Sequence, residues 1–305
     1  MRRLATCCLA LVSLLPLSAH GQAAPDSRRS TAYYVAHLAT TAAFFASAYL
    51  LSQDVFCVQH SEGGNESFPG DACVRQNFSA TADTLSNMTL VGTISIPMIV
   101  QLGRGFDDAL LNSTVVYAET QAAGTLLNTI TKYLVQRPRP YTHSTHKRDP
   151  NVAKYIESQG DDAYLSFYSG HSSAAFSAAI SGSYLFGSTS TDTGARKVMW
   201  GVEMALAGAT ANLRVRAGKH YYSDVITGAL VGSGLGIGIP LLHGGDYRPS
   251  GAEIGIGLGG LAVGIVGTQL LPFGCGDVAV PVVASTVILP SVSPNGAGVQ
   301  FAGTW

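Results

Sequence analysis

A histidine and an aspartate, His220 and Asp224, stand four residues apart in the stretch LRVRAGKHYYSDV at 213–225. Side chains at this spacing share one face of a helix, where the carboxylate can accept from one imidazole nitrogen and leave the other free. That arrangement suits a nucleophile or a base, and it equally suits an ordinary polar pair on a helix surface. The spacing alone leaves both interpretations open.

Two further stretches, TKYLVQRPRPY at 131–141 and FYSGHSSAAF at 167–176, add cations, a hydroxyl, a glycine and a second histidine. A tetrahedral oxyanion requires such a set, because Lys and Arg neutralise its oxygens and arginine does so through a planar fork. The start of a helix adds backbone N–H groups that can bind the anion, and a glycine there lets the anion come close to the backbone. The residues that could act together in this way are Lys132, Arg139, Ser169, Gly170, His171, Arg214, His220 and Asp224.

In this order, Lys-x6-Arg-Pro, Ser-Gly-His and Arg-x5-His-x3-Asp resemble the motifs of the type 2 phosphatidic acid phosphatase family. Its superfamily also includes bacterial acid phosphatases and vanadium haloperoxidases. The motifs lie within residues 132–224, and the implied helical core covers about residues 30–243. Tyr168 stands where the family usually has proline, and Leu213 where it usually has serine. Neither departure removes a charged or proton-transferring group.

The resemblance implies a role for each candidate residue. His220 would attack phosphorus and form a phosphohistidine, with Asp224 fixing its tautomer. His171 would protonate the leaving alcohol oxygen, after which water would hydrolyse the intermediate. No metal or other cofactor is implied, and vanadate is expected to inhibit as a phosphate mimic. The residues that would hold the phosphoryl oxygens are Lys132, Arg139, Ser169, Gly170 and Arg214.

The elements that must position these residues are predicted to be apolar helices. Of the 305 residues, 47% are hydrophobic and only 12% are charged, against roughly 25% charged in soluble globular proteins. The net charge of -1 gives no electrostatic case for a nucleic-acid partner. We therefore expect an all-α bundle of about six core helices, embedded in a membrane, over residues 28–245. The predicted helices are 31–52, 86–103, 113–136, 170–187, 196–213 and 221–243.

The two ends of the chain are predicted to differ from this bundle. Arg2 and Arg3 precede an apolar run and small residues, a pattern typical of an export signal over residues 1–21, with an uncleaved anchor as the alternative. Residues 250–305 begin with a Gly-rich apolar segment, either a helix-packing face or a strand. They end in a Val- and Thr-rich tail with an Asn-Gly turn signal, which predicts a small β-hairpin or an extended tail.

Several residues outside the motifs have a structural or peripheral interpretation. In an oxidising compartment, a disulfide between Cys57 and Cys73 would close the polar loop that they bracket. His143 and His146 form an incomplete metal pair, since two histidines without a third ligand seldom bind a metal. Four basic residues are interpreted as a rim that attracts anionic headgroups: Arg137, Lys147, Arg148 and Arg216.

The expected function is metal-independent hydrolysis of a phosphate monoester or pyrophosphate, on a lipid in a membrane. A soluble exported acid phosphatase is the nearest alternative, and a vanadium-dependent haloperoxidase is another, disfavoured because such enzymes are generally much longer. The expected location is the cell envelope, with the site facing the periplasm or exterior. If the leader is cleaved and six helices cross the membrane, loop 137–169 would instead lie on the inner side of the membrane. The particular substrate and the oligomeric state are left open.

Overall fold

The computed structural model of the chain describes residues 29–53, 57–60, 68, 70–143, 150–272, 287–293 and 296–302. Within the described residues up to 272 the fold is all-α, as predicted, and contains nine α-helices. The predicted export signal lies outside the described residues. The helices are α1 (Thr31–Leu51), α2 (Asp71–Val74), α3 (Ala80–Leu102), α4 (Asp108–Val135), α5 (Pro150–Ser158), α6 (Gly170–Thr189), α7 (Thr193–Arg216), α8 (Tyr222–Leu242) and α9 (Gly251–Gln269).

Two of the long helices begin earlier than the apolar pattern predicts, because their first turns are polar. Helix α3 is capped by Ser79, whose hydroxyl accepts from the backbone of Ala82 at 3.2 Å. Helix α4 is capped by Asp107, whose carboxylate accepts from the backbone of Leu110 at 2.7 Å. Asp107 is therefore an N-cap.

Helix α6 lies at the centre of the bundle and packs against α3, α4, α7 and α8. Helix α8 approaches it through Gly228, Gly232 and Gly236, one turn apart. A Cβ at Gly228 would come within 2.5 Å of the Ser169 carbonyl oxygen, and one at Gly232 would lie closer still to that of Ser173. Small residues allow this close helix contact. Because the helices run parallel, the starts of α6 and α8 lie side by side.

The Gly-rich segment after residue 250 is a helix, α9, that packs along α7. A Cβ at Gly260 or Gly264 would overlap the backbone of Gly201 or Ala205, respectively. The glycines therefore form a helix-packing face, and the strand alternative is wrong. Further along the chain, β1 (Val287–Ser293) and β2 (Gly296–Ala302) pair antiparallel.

Four helices are long and apolar enough to cross a membrane, judged by length and composition: α1, α3, α8 and α9. They also carry exposed apolar side chains, such as Leu230 on α8 and Val263 on α9, which are 69% and 68% exposed. Exposed apolar surface of this kind marks contact with a partner or with lipid. The fold is therefore compatible with a membrane protein.

Candidate active site

The three motifs meet at one end of the bundle, where α4 and α7 end and α6 and α8 begin. Lys132 lies in the last turn of α4, and Arg214 lies in the last turn of α7. The backbone N–H of Ser169, the N-cap of α6, donates to the carbonyl of Asp224 in α8 at 3.1 Å. Residues separated by up to 92 positions in the sequence, from 132 to 224, are thus gathered into one site.

His220 lies in the connection between α7 and α8 and is almost fully buried. Its Nε2 is 3.3 Å from a terminal guanidinium nitrogen of Arg139. Burial, together with the neighbouring cations Arg139 and Arg214, holds the pKa of this imidazole well below its usual value. The ring is therefore neutral at pH 7, which is the form that can act as a nucleophile.

The expectation that His220 and Asp224 share a helix face is wrong. Helix α8 begins only at Tyr222, and Asp224 lies in its first turn, where its Oδ2 accepts from the backbone N–H of Tyr221 at 3.0 Å. The same oxygen is 3.6 Å from Nδ1 of His220, slightly too far for a hydrogen bond. The hydroxyl of Ser166 lies beside both groups, 2.5 Å from Asp224 Oδ2 and 3.4 Å from His220 Nδ1.

Arg137 does not belong to a peripheral basic rim, and that prediction is wrong. Its guanidinium donates to Asp224 Oδ1 at 2.6 Å and to Asp71 Oδ2 at 2.9 Å. It also lies over the ring of Tyr221, with the guanidinium carbon 3.9 Å from the ring centroid. Arg137 therefore holds the Asp224 carboxylate by Oδ1, with Oδ2 on the side of His220.

Arg139 is buried, and one of its terminal nitrogens contacts both oxygens of a carboxylate that the sequence did not single out. Its terminal nitrogen donates to both oxygens of Asp162, at 2.7 and 2.8 Å, and Lys132 Nζ lies 3.9 Å from the first of them. Although burial opposes the shift, these two cations hold the pKa of Asp162 below its usual value. Asp162 therefore fixes the direction of the Arg139 fork next to His220.

Arg214 and Lys219 share a second carboxylate, Asp83 in the first turn of α3. A terminal nitrogen of Arg214 lies 2.5 Å from Asp83 Oδ1, and Lys219 Nζ lies 3.4 Å from Oδ2. Burial lowers the pKa of Lys219 to about 8, and the neighbouring arginines contribute to the shift. Lys219 was not recognised in the sequence, where nothing but its position next to His220 distinguishes it.

At the start of α6, Ser169 caps the helix and Gly170 makes room for Asn128. Ser169 Oγ accepts from the backbone N–H of Ser172 at 3.3 Å, so its side chain caps the helix. A Cβ at Gly170 would lie 2.7 Å from the amide oxygen of Asn128, which leaves no room for a side chain. The remaining N–H groups of this first turn offer the anion site that helix starts provide.

His171, the second histidine, is partly exposed at the edge of the site. Its Nε2–H donates to the amide oxygen of Asn87 at 2.7 Å. Burial of the His171 imidazole, together with the nearby Arg214 and His220, lowers its pKa well below the usual value. The two histidines therefore stand within electrostatic reach of each other and of the same cations.

The predicted disulfide between Cys57 and Cys73 is not formed, and both thiols are free and exposed. The carbonyl of Cys57 accepts from the side chain of Gln136 at the end of α4, at 3.1 Å. Cys73 lies instead in α2, which is fastened to the start of α8 by hydrogen bonds between Asp71 and Ser223. The two cysteines are thus held by different elements.

The other residues assigned to the rim or to a metal pair are less informative. Arg216 donates to backbone carbonyls at and just beyond the end of α9, including that of Leu271 at 2.9 Å. His143 ends a short 3-10 turn after Arg139. The described residues do not include His146, Lys147 and Arg148.

Comparison with known proteins gives one family. A family model described as the PAP2 superfamily matches residues 113–247, which extend from α4 to just beyond α8 and contain all three motifs. No curated protein and no solved structure matches the chain.

Proposed function

We propose that the chain hydrolyses a phosphate monoester or diphosphate carried by a lipid, since the match of residues 113–247 to the PAP2 superfamily supports phosphatase-type activity. The observation that carries the proposal is the position of His220. Its neutral, buried imidazole presents Nε2 beside Arg139, at the point where cations from α4, α7 and two connections converge.

The first step is attack of His220 Nε2 on phosphorus. A bond forms between this nitrogen and phosphorus, and the bond between phosphorus and the leaving oxygen breaks. The phosphoryl oxygens lie among the cations and the N–H groups at the start of α6, which stabilise the transferring group electrostatically. The groups in this cradle are Lys132, Arg139, Arg214, Ser169 and Gly170, with Lys219 added from the structure.

Asp224 stabilises the imidazolium that forms in this step. As His220 becomes cationic, its Nδ1–H donates to Asp224 Oδ2, and the present 3.6 Å separation shortens by about half an ångström to hydrogen-bonding distance. Ser166 and Arg137 hold the carboxylate in place during this change. Arg137 stays paired with Asp224 Oδ1 while Oδ2 faces the imidazole.

His171 transfers the protons. As an imidazolium it donates a proton to the leaving alcohol oxygen, and the bound phosphate dianion favours this protonated form. The neutral ring that remains then takes a proton from the water that attacks the phosphohistidine. Phosphate leaves, and His220 is regenerated with its lone pair on Nε2.

The apolar helices support a lipid substrate and a membrane location. Candidate span α1 packs against α4, and candidate span α3 packs against α6 and α7, while α8 is a candidate span that itself carries Asp224. The active site lies at an end of α8, so a span of this helix would bring the site to a membrane surface, where lipid headgroups lie. We propose the cell envelope as the location, with the site facing the periplasm or exterior.

The experiment is a substrate panel with purified protein in detergent, in magnesium-free buffer. We expect phosphate release from lipid phosphates or diphosphates with higher kcat/KM than from soluble sugar phosphates, and inhibition by vanadate. A strict requirement for added magnesium would contradict the cation-based mechanism. A preference for soluble phosphates would favour the acid phosphatase alternative, and halide oxidation after vanadate loading would favour the haloperoxidase alternative.

A further inference from the structure

A second cluster of potential ligands lies far from the active site, on three helices. It consists of His37 on α1, Glu119 on α4 and His243 at the C-cap of α8. Nδ1 of His37 is 2.8 Å from Glu119 Oε2, and Nε2 of His243 is 3.4 Å from the same oxygen. The three side chains are 12%, 6% and 5% exposed. Within the described part of the chain, this is the one group of three such residues whose ligand atoms all lie within 4.8 Å of one another.

We propose that this cluster binds a divalent transition metal ion, with zinc as the best match. Two imidazoles and one carboxylate are a ligand set that zinc accepts, and the fourth position is left for water. Ligand atoms about 2.0–2.1 Å from a tetrahedral ion lie roughly 3.3–3.4 Å apart. The separation between His243 and Glu119 already has this value. That between His37 and Glu119 would open by about half an ångström.

The surroundings of His243 are those of a metal-binding histidine. Its second ring nitrogen, Nδ1, lies 2.5 Å from the hydroxyl of Tyr33. Arg29 donates to the carbonyl of His243 at 2.9 Å, and its guanidinium lies over the Tyr33 ring, 5.0 Å from the centroid. Hydrogen bonds of this kind fix the tautomer and orientation of histidine ligands. Nε2 of His243 is thereby left free to face Glu119.

The position of the cluster indicates what the ion does. Asp224 and His243 are nineteen residues apart along α8, or about 28 Å at 1.5 Å per residue. The ion would therefore take no part in phosphoryl transfer. It would fasten α1, which precedes the matched segment 113–247, to α4 and α8 within that segment. A structural ion of this type contributes its binding free energy to the folded state.

The test uses the full chain, purified in detergent without a histidine tag, stripped with chelator and titrated with Co²⁺. We expect one Co²⁺ per chain with the intense visible absorption of a four-coordinate site, displacement by Zn²⁺, and a higher Tm with either ion. Glu119→Gln and His243→Gln keep polar side chains of similar size, and we expect both to abolish the absorption. Tyr33→Phe should weaken Co²⁺ binding by about 10–100-fold, since it removes only the outer hydrogen bond.

The matched control is His60→Ala, because His60 forms an exposed pair with Asp161 at 2.7 Å that has the chemistry of an adventitious site. We expect this variant to bind Co²⁺ like the wild type. Failure of the wild type to bind Co²⁺, or binding that survives Glu119→Gln, would overturn the proposal. The three side chains would then form a hydrogen-bonded clasp without an ion. Because the readout is metal binding, the result is independent of the phosphatase proposal.

Discussion

Helix α8 begins beside one buried histidine and ends beside another. His220 and His243 both have a carboxylate and a hydroxyl close to the ring, yet their wider surroundings differ in charge. His220 lies among several guanidinium and ammonium groups, whereas His243 faces Glu119 and a second imidazole. The first setting attracts an anion and the second attracts a cation. The residue type alone therefore does not determine the ligand.

The balance of charge makes this contrast quantitative. Among the described residues around His220, five cations interact with four carboxylates, which leaves one positive charge for an incoming anion. The cations are Lys132, Arg137, Arg139, Arg214 and Lys219, and the carboxylates are Asp71, Asp83, Asp162 and Asp224. At the other end Arg29 is held by a backbone carbonyl and an aromatic ring, so among the described residues the ion-pair partners of Glu119 are two imidazoles.

The largest expected effect is that of a substitution that abolishes the activity at one end of α8 and leaves the other end unchanged. His220→Ala should reduce phosphate release to the uncatalysed level and prevent phosphoenzyme formation, because the nucleophile is gone. The same variant should retain the Co²⁺ absorption of the His37, Glu119 and His243 cluster. Quenched-flow trapping with a ³²P-labelled substrate measures the intermediate. A phosphoenzyme trapped in His220→Ala would show that His171 is the nucleophile.

The second prediction distinguishes the two histidines of the cationic end. His171→Ala should lower kcat by about 10²–10⁴-fold with an alkyl phosphate, because a general acid is lost. With an aryl phosphate whose phenol is acidic, the loss should be smaller, since that leaving group needs no proton. His220→Ala provides the control, for which the better leaving group should give no recovery. Equal losses of His171→Ala on both substrates would argue against a general acid.

The helical fold and the meeting of the three motifs could both be predicted from the sequence. Long apolar stretches with few charges predict helices, and the ordered blocks from Lys132 to Asp224 resemble a known family, so their meeting at one end of the bundle was expected. The roles assigned to these residues remain predictions. The helix limits at Ala80 and Asp108 were missed because capped first turns are polar and interrupt the apolar pattern.

The partners of the motif residues were not predictable from spacing. The sequence Arg137-Pro138-Arg139 does not distinguish the two arginines from each other. In the structure, Arg137 binds Asp71 and Asp224, whereas Arg139 binds Asp162. Which carboxylate each arginine meets depends on tertiary packing. The second histidine cluster was missed for the same reason, since its residues are spread from 37 to 243 and form no short motif.

The third prediction concerns the packing that holds α8, and with it both ends, against α6. Gly232→Ala would press a methyl group into the carbonyl of Ser173, so we expect a loss of about 1–3 kcal/mol in the free energy of unfolding. Gly234→Ala, on the same helix with no atom within 4 Å of the added Cβ, should be neutral or stabilising by up to about 1 kcal/mol. Thermal unfolding in detergent compares them. Equal stability of both variants would contradict the close contact.

The smallest expected effect comes from the hydroxyl beside each histidine. Ser166 lies near Nδ1 of His220 as Tyr33 does near Nδ1 of His243, but Ser166 also donates to Asp224 at 2.5 Å. Ser166→Ala removes one hydrogen bond worth about 1 kcal/mol, so kcat/KM should fall by about fivefold. Ser183→Ala is the control, because Ser183 is buried on α6 and its hydroxyl has no hydrogen-bond partner among the described residues.

A double-mutant cycle decides whether Ser166 acts through the carboxylate. If the hydroxyl serves only to hold Asp224, its loss should matter little once that carboxylate is an amide. Ser166→Ala should then lower kcat/KM by less in the Asp224→Asn background than in the wild type, because the two side chains form one hydrogen-bonded unit. Fully additive losses would show instead that Ser166 acts on His220 directly, through the nitrogen 3.4 Å away. In that case the hydroxyl has the same role at both ends of α8, as the group that fixes a histidine tautomer.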